Sequence, residues 1–259
     1  MLSDSNIGPL LQLARLAGAD IMSFYDRIEV VEKSDQSPLT QADLASHRRI
    51  VDGLSNITPS LPVLSEESNP VDVDERLDWT DFWLVDPLDG TKEFIKRNGE
   101  FTVNIALIRD HLPVFGVVYT PASDTIYWGG EDYGSFCQIG HEAPRPLKVS
   151  SLGNTPVRVV GSRSHPSPDL ESYLARLGDH SFHPVGSSLK FCRIAEGSAD
   201  VYPRFGPTSE WDTAAGHAVL EGAGGSVVGL DGQSLRYNSR TSILNPYFIA
   251  HGDPSRNWL

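Results

Sequence analysis

Two aspartates, Asp86 and Asp89, lie three positions apart where an apolar segment gives way to a turn. The segment before them, 82–85, is wholly apolar and is typical of a buried strand. Pro87 is expected to end the pairing of that strand because proline has no N–H to donate. Aspartate is common in turns, so a structural role stays open, but a carboxylate at the edge of a dry core favours a cation as its partner.

The residues that follow this pair offer ligands suited to a metal ion and a phosphate group. We expect the carbonyl of Leu88 to be free, and Gly90 lets the backbone approach a ligand closely. The N–H groups that open the next helix, which is predicted from Lys92 onward, suit an anion. Carboxylates, a carbonyl and phosphate oxygens are what Mg²⁺ binds, so the segment predicts a Mg²⁺–phosphate site.

A second pair of acids, Glu66 and Glu67, follows the short apolar segment at 61–64. Adjacent acids are usually part of a solvated loop, and that interpretation holds for at least one of them. If the two apolar strands are neighbours, Glu66 lies close to Asp86. Carboxylates converging on one point are tolerable only around cations.

Asp212 stands at the start of an apolar segment that predicts a helix over 209–221. It is either an acid favoured by the helix dipole in the first turn or a metal ligand from the second half of the chain. Thr40 and Asp43 fit a capping box at the start of another helix. The functional alternative for Asp43 is a hydrogen bond with Thr91 that activates a water molecule. The pattern leaves each alternative open.

Small residues and a cation at Gly186, Ser187, Ser188 and Lys190 open a further predicted helix. They form either a site for an anion or ordinary helix-capping chemistry. Arg204 likewise either faces a phosphate group or is solvated. Both segments are therefore candidates for substrate binding rather than assignments.

Helices and strands alternate along both halves of the chain. Predicted helices cover 10–28, 40–54, 92–94, 169–177, 189–196 and 209–221. Predicted strands cover 61–64, 82–86, 101–108, 114–120, 125–128, 157–160, 200–203, 227–228 and 248–249. Irregular segments are expected at 30–38, which carries Lys33 and Asp35, at 69–81, and at 129–149. This alternation indicates a layered α/β or α+β architecture with two lobes of approximately 1–150 and 151–259.

The composition describes a globular protein and argues against several partners. The 259 residues carry a net charge of −13, which disfavours a nucleic-acid polymer or an anionic membrane as the main partner. Two cysteines offer no disulfide framework and fit a reducing compartment. No signal peptide or membrane-spanning segment is evident, so a cytoplasmic location is expected.

Three motifs in this order resemble the inositol monophosphatase superfamily of Mg²⁺-dependent, lithium-sensitive phosphomonoesterases. They are the segments 65–67, 86–91 and 211–215. Three further segments are similar to one branch, the bacterial 3′(2′),5′-bisphosphate nucleotidases of sulfur assimilation: 91–104, 186–192 and 202–207. Ser65 stands where inositol phosphatases usually have glycine, which also favours the nucleotidases.

The resemblance implies a single phosphatase domain folded as an αβαβα sandwich of alternating helices and sheets. It implies two or three Mg²⁺ ions held by acidic side chains and one carbonyl: Glu66, Asp86, Asp89, Asp212 and the Leu88 carbonyl. The implied catalytic residues are Asp43, Thr91 and Glu66. The implied substrate contacts are Asp89, Gly90, Thr91, Gly186, Ser187, Ser188, Lys190, Arg204 and Asp212.

The reaction implied by the resemblance is hydrolysis of adenosine 3′,5′-bisphosphate to AMP and phosphate, and of its sulfated form in the same way. One Mg²⁺ would lower the pKa of the attacking water while the others neutralise phosphate charge. Lys190 and Arg204 would select a substrate with a second phosphate. The branch also includes proteins peripheral to the inner membrane, and the oligomeric state, monomer or homodimer, stays open.

Three alternatives stay open at this point. An inositol- or sugar-phosphate phosphatase would share the phosphate-handling residues and differ in the second lobe. A phosphotransferase with Asp86 as nucleophile is disfavoured, because the Asp-x-Asp spacing of that class is missing. A non-catalytic nucleotide- or metal-binding protein is disfavoured by the complete set of acids.

Overall fold

The computed structural model describes residues 2–25, 30–32, 38–69, 71–151, 156–162 and 168–259. The helices are α1 (Asp4–Phe24), α2 (Gln41–Ile57), α3 (Val73–Leu77), α4 (Thr91–Ile95), α5 (Pro168–Leu177), α6 (Leu189–Ala195) and α7 (Ala214–Gly222). The strands are β1 (Val30–Glu32), β2 (Pro38–Thr40), β3 (Val63–Ser65), β4 (Asp81–Asp89), β5 (Thr102–Arg109), β6 (Leu112–Thr120), β7 (Thr125–Gly130), β8 (Gly134–Ile139), β9 (Arg145–Pro146), β10 (Val157–Gly161), β11 (His180–Pro184), β12 (Val201–Arg204), β13 (Ser226–Gly229) and β14 (Phe248–His251).

Two large sheets contain all the described strands except β1 and β2, which pair with each other. The first sheet has seven strands in the order β3-β4-β5-β6-β7-β8-β9, antiparallel except for the parallel pair β3–β4. The second sheet has five strands in the order β11-β10-β12-β14-β13. In it β10 is parallel to β11 and β12, whereas β14 is antiparallel to β12 and β13.

Successive side chains of β4 point alternately to the two faces of the first sheet, and helices cover both faces. Trp83 and Val85 pack in a core that also contains α1 and α2. Phe82 and Leu84 point to the opposite face, into a core shared with α6, α7 and the second sheet. A strand apolar on both faces must be buried on both, which is what the unbroken apolar run at 82–85 indicates.

The second sheet is also covered on both faces, because alternate side chains of its strands pack in different cores. Tyr202 and Phe248 face the core beneath α6 and α7. Val201 and Ile249 face the other way, where they pack with Tyr173 of α5. The layers therefore run α1 and α2, first sheet, α6 and α7, second sheet, α5. This αβαβα sandwich confirms the predicted fold class.

Several short elements were not predicted from the sequence. Helix α3 lies within the connection at 69–81, and its first N–H groups are capped by the side chain of Asp72. Strands β8 and β9 extend the first sheet through the segment expected to be turn-rich. Strand β11 forms the edge of the second sheet, where its half-buried and exposed residues lack the apolar run that reveals a strand.

Several predicted boundaries differ from the structure, and helix α1 begins at Asp4 rather than at Leu10. The segment at 30–38 was predicted as a loop, but its ends pair as β1 and β2. Lys33 and Asp35, between these strands, and Ile28, at the end of the first predicted helix, lie outside the described residues. The last predicted helix begins at Ala214 rather than at Ser209, because residues 209–213 form turns. Within the described parts of the chain, no helix combines the length and apolar character needed to cross a membrane.

The first sheet and α7 are in close contact at Gly116. A Cβ atom built on this glycine would lie 2.3 Å from the carbonyl oxygen of Ala215, a backbone atom that cannot rotate away. We expect Gly116→Ala to lower the free energy of unfolding by about 1–3 kcal/mol, because it forces strand and helix apart. Equilibrium denaturation measures this effect.

Gly8 provides the matched control for that substitution. It is exposed in α1, and nothing lies within 4 Å of a Cβ built there. Gly8→Ala should change the free energy of unfolding far less than Gly116→Ala, because the gain in helix propensity is opposed only by the restriction that Pro9 places on the residue before it. If both variants gave the same free energy of unfolding, the proposed close contact between β6 and α7 would be contradicted.

Candidate active site

A β-bulge in β4 turns Asp86 and Asp89 toward the same face of the first sheet. These residues are three apart in β4 but pair with β5 residues that are only two apart, so Pro87 and Leu88 together oppose Val103. In a regular strand, side chains three apart point to opposite faces, and the extra residue corrects this. Leu88 accordingly packs in the core beneath α1 and α2, on the other side of the sheet.

The bulge also corrects the expectation that pairing ends at Pro87. Pairing resumes at Asp89, the last residue of β4. Proline is tolerated inside this strand because it occupies the bulge, where the missing N–H costs no ladder hydrogen bond. The hydroxyl of Ser46 in α2 donates to the Pro87 carbonyl over 2.8 Å and so ties the bulge to the covering helix.

Asp212 brings a third carboxylate to this point from the turn before α7. Its Oδ2 accepts the N–H of Ser209 over 3.0 Å. Asp86, Asp89 and Asp212 each have a carboxylate oxygen within 4.8 Å of the others. Because α7 begins at Ala214 with Thr213 as its N-cap, Asp212 lies in the turn just before the helix rather than in its first turn.

Burial and mutual repulsion dominate the electrostatics of the three carboxylates. The pKa of Asp86 is raised well above its usual range by burial and then by the charges of Glu66 and Asp89. The pKa of Asp212 is raised in the same way, by burial and then by Asp89 and Glu66. Burial also raises the pKa of Asp89, although Lys190 and nearby hydrogen bonds oppose the rise. A cluster of this kind favours a bound cation.

Asp89 also connects the two sheets. Its Oδ2 accepts the N–H of Ser188 over 2.6 Å, at the start of α6. The same oxygen accepts Asn104 Nδ2 over 3.3 Å and Thr102 Oγ1 over 3.5 Å, both from β5. Ser188 Oγ in turn donates to Asn104 Oδ1 over 2.7 Å. Ser188 is therefore buried against the first sheet and orients Asp89 rather than lining the cavity.

Glu66 and Glu67 separate into two roles at the end of β3. Since β3 runs parallel to β4, the N–H of Glu66 donates to the Val85 carbonyl over 3.2 Å, which places Glu66 beside the aspartates. Glu67 instead lies near His47. Burial lowers the pKa of His47, and the negative charge of Glu67 opposes part of that shift. His47 Nδ1 lies 2.9 Å from Ser65 Oγ, so this pair fixes the end of β3.

A cavity of about 440 Å³ contains this cluster and is lined by both halves of the chain. Most of the residues predicted from the sequence line it, namely Glu66, Asp86, Leu88, Asp89, Gly90, Thr91, Gly186, Ser187, Lys190, Arg204 and Asp212. Asp43 is buried in the first turn of α2, close enough to contribute to the raised pKa of Asp86. The side chain of Thr40, its predicted capping partner, lies outside the described residues.

Gly90 allows the second half of the chain to dock beside the aspartates. It has φ +86°, and a Cβ built on it would lie 2.1 Å from Ser187 Oγ. Ser187 Oγ lies 2.9 Å from the Asp89 carbonyl oxygen and 2.7 Å from the Glu100 carbonyl oxygen, which share its one O–H donor. Thr91 begins α4, and its hydroxyl donates to the Leu88 carbonyl over 3.3 Å. That carbonyl retains a second lone pair for another ligand.

Two cationic side chains, Lys190 and Arg204, line the same cavity as the acidic cluster, where their charges act on Asp89 and Asp212. Lys190 Nζ donates to the carbonyls of Ser187 (2.5 Å) and Val185 (3.3 Å) and lies 5.2 Å from the centre of the Tyr202 ring. Because an ammonium has three N–H donors, one remains for a ligand. Burial lowers the pKa of Lys190 to about 8, although the charge of Asp89 opposes the shift.

Arg204 is held by the loop that follows β12. Its Nε donates to Thr208 Oγ1, and a terminal nitrogen donates to the Pro207 carbonyl over 2.6 Å. A guanidinium has five N–H donors, so several remain available. Tyr202 and Arg204 are two apart in β12 and both line the cavity, as the period of a strand requires.

Sequence reasoning missed Thr102 and Asn104, which support Asp89. A signal was present, because they are polar residues two apart in a strand that is otherwise apolar from Val103 to Ile108. Buried polar side chains on one face of such a strand need partners, and here the partner is the carboxylate. Thr208, which holds Arg204, carries no comparable signal because its loop has no periodic pattern.

Comparison with known proteins identifies relatives over nearly the whole chain. The model of the inositol monophosphatase family matches residues 5–254. The 3′(2′),5′-bisphosphate nucleotidase CysQ of Escherichia coli K12 is 52% identical over 240 residues, 92% of this chain and 96% of that protein. The CysQ nucleotidase of Buchnera aphidicola subsp. Acyrthosiphon pisum is 45% identical over 254 residues, 93% of this chain and 91% of that protein.

Solved structures with the same fold cover the chain equally well. The crystal structure of CysQ from Bacteroides thetaiotaomicron, a bacterial member of the inositol monophosphatase family, has a TM-score of 0.85 and 43% identity over 98% of each chain. Extragenic suppressor protein SuhB from Bartonella henselae has a TM-score of 0.79 and 26% identity, covering 97% of this chain and 95% of the other. Both agree with the αβαβα layers described above.

The repulsion within the acidic cluster predicts an unusual pH dependence of stability. Because folding raises the pKa of Asp86, the folded state binds more protons than the unfolded state, and stability falls as the pH rises. We expect Asp86→Asn to stabilise the metal-free protein by an amount that grows as the pH rises above about 4, the ordinary pKa of an aspartate. Denaturant titration in the presence of a chelator measures the difference.

Added Mg²⁺ provides the control for this effect. A cation bound by the carboxylates would offset their repulsion, so Mg²⁺ should stabilise the wild type more than Asp86→Asn. A difference between the two proteins that stayed constant across the pH range would contradict the raised pKa of Asp86.

Proposed function

Because the chain belongs to the inositol monophosphatase family, we propose that it is a Mg²⁺-dependent 3′(2′),5′-bisphosphate nucleotidase. It would hydrolyse adenosine 3′,5′-bisphosphate to AMP and phosphate, and the sulfated form of that nucleotide to adenosine 5′-phosphosulfate. The observation that carries the proposal is one cavity in which an acidic cluster lies beside two cations, Lys190 and Arg204. Identity of 52% to a curated nucleotidase over 92% of the chain supports the same substrate.

The acidic cluster fits a divalent cation bound through oxygen. Buried carboxylates with raised pKa values repel one another and gain most from a compact double charge. We expect two or three Mg²⁺ ions to be held by oxygen donors from both halves of the chain, namely Glu66, Asp86, Asp89, Asp212 and the Leu88 carbonyl. When bound, Mg²⁺ would neutralise phosphate charge and lower the pKa of the attacking water.

Other residues beside the acidic cluster would orient the phosphate and the water. The amides of Gly90 and Thr91 line the cavity beside the carboxylates and can donate to phosphate oxygens. Asp43, with Thr91 and Glu66, would accept hydrogen bonds from the attacking water and so direct it at phosphorus. Thr91 is suited to this role because its hydroxyl is already fixed by the Leu88 carbonyl.

The two cations, Lys190 and Arg204, would recognise the rest of the nucleotide. Lys190 retains one donor and Arg204 retains several, so both can contact a second phosphate group. This arrangement would let a protein of net charge −13 bind a highly anionic nucleotide in one local region. Gly186 and Ser187 would contact the same part of the substrate.

We further propose that the chain is one phosphatase domain whose lobes, approximately 1–150 and 151–259, meet at this cavity. The first would hold most of the metal ligands, and the second would add Asp212 and select the leaving group. A nucleotide is the expected partner. The cytoplasmic location, the association with the inner membrane and the choice between monomer and homodimer stay predictions.

Phosphate release by the purified protein tests this function directly. With Mg²⁺, we expect release from adenosine 3′,5′-bisphosphate to exceed release from inositol 1-phosphate and to be inhibited by lithium. Preference for the inositol ester would favour an inositol phosphatase. No release from either compound would favour a non-catalytic binding protein.

Asp89→Asn should lower kcat by roughly a hundredfold or more, because it removes a ligand charge and disturbs the contact with Ser188. The matched control is Asp132→Asn, an exposed residue in the turn between β7 and β8 that does not line the cavity. Steady-state phosphate release compares the variants. Wild-type turnover by Asp89→Asn would make the proposed metal ligands untenable.

Affinity for the bisphosphate should weaken as the pH rises through about 8, because Lys190 then loses its charge. The KM of the wild type should rise over this range, whereas that of Lys190→Arg should stay nearly flat because a guanidinium remains protonated. Kinetics on adenosine 3′,5′-bisphosphate as a function of pH measure both values. The same pH dependence in both proteins would count against a role for the Lys190 charge.

Removal of either cation should affect the second phosphate specifically. Lys190→Ala and Arg204→Ala are each expected to raise the KM for the bisphosphate more than the KM for adenosine 3′-monophosphate. Arg236→Ala, an exposed residue outside the cavity lining, is the control. Equal losses on both substrates would contradict recognition of the second phosphate by these side chains.

A further inference from the structure

We propose that Glu100 is a positioning residue that holds the segment Gly186–Lys190 in place and thereby sets affinity for the nucleotide. Glu100 lies between α4 and β5 and was not among the residues predicted from the sequence. It is absent from the cavity lining, so its effect on substrate would pass through the segment it contacts. The inference rests on the proposed function, because the segment is expected to contact the substrate.

Glu100 contacts this segment through both its side chain and its backbone. Its Oε2 accepts the N–H of Gly186 over 2.8 Å, and its carbonyl accepts Ser187 Oγ over 2.7 Å. A Cβ built on Gly186 would lie 2.7 Å from the same carbonyl, which shows how closely the two backbones approach. A charge-assisted hydrogen bond beside a second, neutral one makes a firm attachment between the two halves of the chain.

Glu100 is itself hydrogen-bonded into the segment that leads back to the acidic cluster. The N–H of Glu100 donates to Asn98 Oδ1 over 2.9 Å, and Asn98 Nδ2 donates to Glu93 of α4. Helix α4 follows directly after Gly90, so Glu100 is connected by a short, hydrogen-bonded stretch to the turn that holds Asp89. The position of Gly186 relative to the carboxylates therefore depends on Glu100.

The position of Lys190 depends in turn on the same segment. Two of its three N–H donors are used by the carbonyls of Val185 and Ser187, on either side of Gly186. A shift of Gly186 would carry the ammonium with it. Asp89 would be affected less, because Asn104 and Thr102 of β5 hold it independently of the segment Gly186–Lys190. Loss of Glu100 should therefore weaken substrate binding more than it slows the chemical step.

Two variants separate the hydrogen bond from the negative charge. Glu100→Ala removes the acceptor for Gly186, whereas Glu100→Gln keeps an oxygen acceptor and removes the charge. We expect Glu100→Ala to raise the KM for adenosine 3′,5′-bisphosphate by about tenfold with little change in kcat. Glu100→Gln should restore the wild-type KM. Glu131→Ala, which removes an exposed acid from the turn between β7 and β8, is the control for net charge.

Calorimetric titration of the product AMP provides a readout that does not depend on turnover. Its affinity should fall by the same factor in Glu100→Ala and recover in Glu100→Gln. Wild-type KM in Glu100→Ala would overturn the inference, as would a loss confined to kcat. Equal losses in both variants would also overturn it, by assigning the effect to charge. If the wild type released no phosphate from the bisphosphate, the proposed function would fail, while unchanged AMP binding in Glu100→Ala would separately contradict the positioning role.

Discussion

The mutual repulsion of three carboxylates brought within 4.8 Å of one another is the constraint around which this molecule is built. A β-bulge supplies two of them from one strand, and the turn before α7 supplies the third from the other half of the chain. Asp86 is buried and Asp89 and Asp212 are half-buried, so water screens their charges only weakly and their pKa values are raised. A hard, compact cation would stabilise such a cluster. The fold brings the carboxylates close enough to repel one another, and the same arrangement is suited to binding a cation.

Holding the carboxylates in place requires that the two sheets act as one unit. Asp89 accepts hydrogen bonds from its own sheet through Asn104 and from α6 through Ser188. Ser187 and Gly186 dock on the neighbouring backbone, where Gly90 leaves room for them. The acidic cluster and the two cations therefore lie in one cavity whose two halves meet through direct contacts. Under the proposed function, a substrate in this cavity would contact both groups at once.

Strand β4 contains both a correct prediction from the sequence, at 82–85, and a wrong one, at Pro87. The apolar run at 82–85 indicated a strand buried on both faces, and the layers on either side confirm it. Pro87 was taken as the end of pairing because local rules describe one strand at a time. Whether pairing resumes after a proline depends on the partner strand, and β5 offers Thr102 opposite Asp89. The edge strand β11 was missed for a related reason, since an exposed strand has no apolar pattern of its own.

Residue types and spacing alone marked the acids, the small residues at 186–188 and the two cations as candidates, and predicted the alternating layers, because each leaves a local chemical or periodic signal. Folding determined which of these residues lie together in one cavity. Glu66 and Glu67 are chemically alike, yet only the parallel register of β3 with β4 places one beside the aspartates and the other beside His47. Asp212 joins a cluster more than 120 residues away in the chain, and Glu100 reaches Gly186 from a turn without any motif. Such contacts arise from packing between distant segments, which local sequence does not encode.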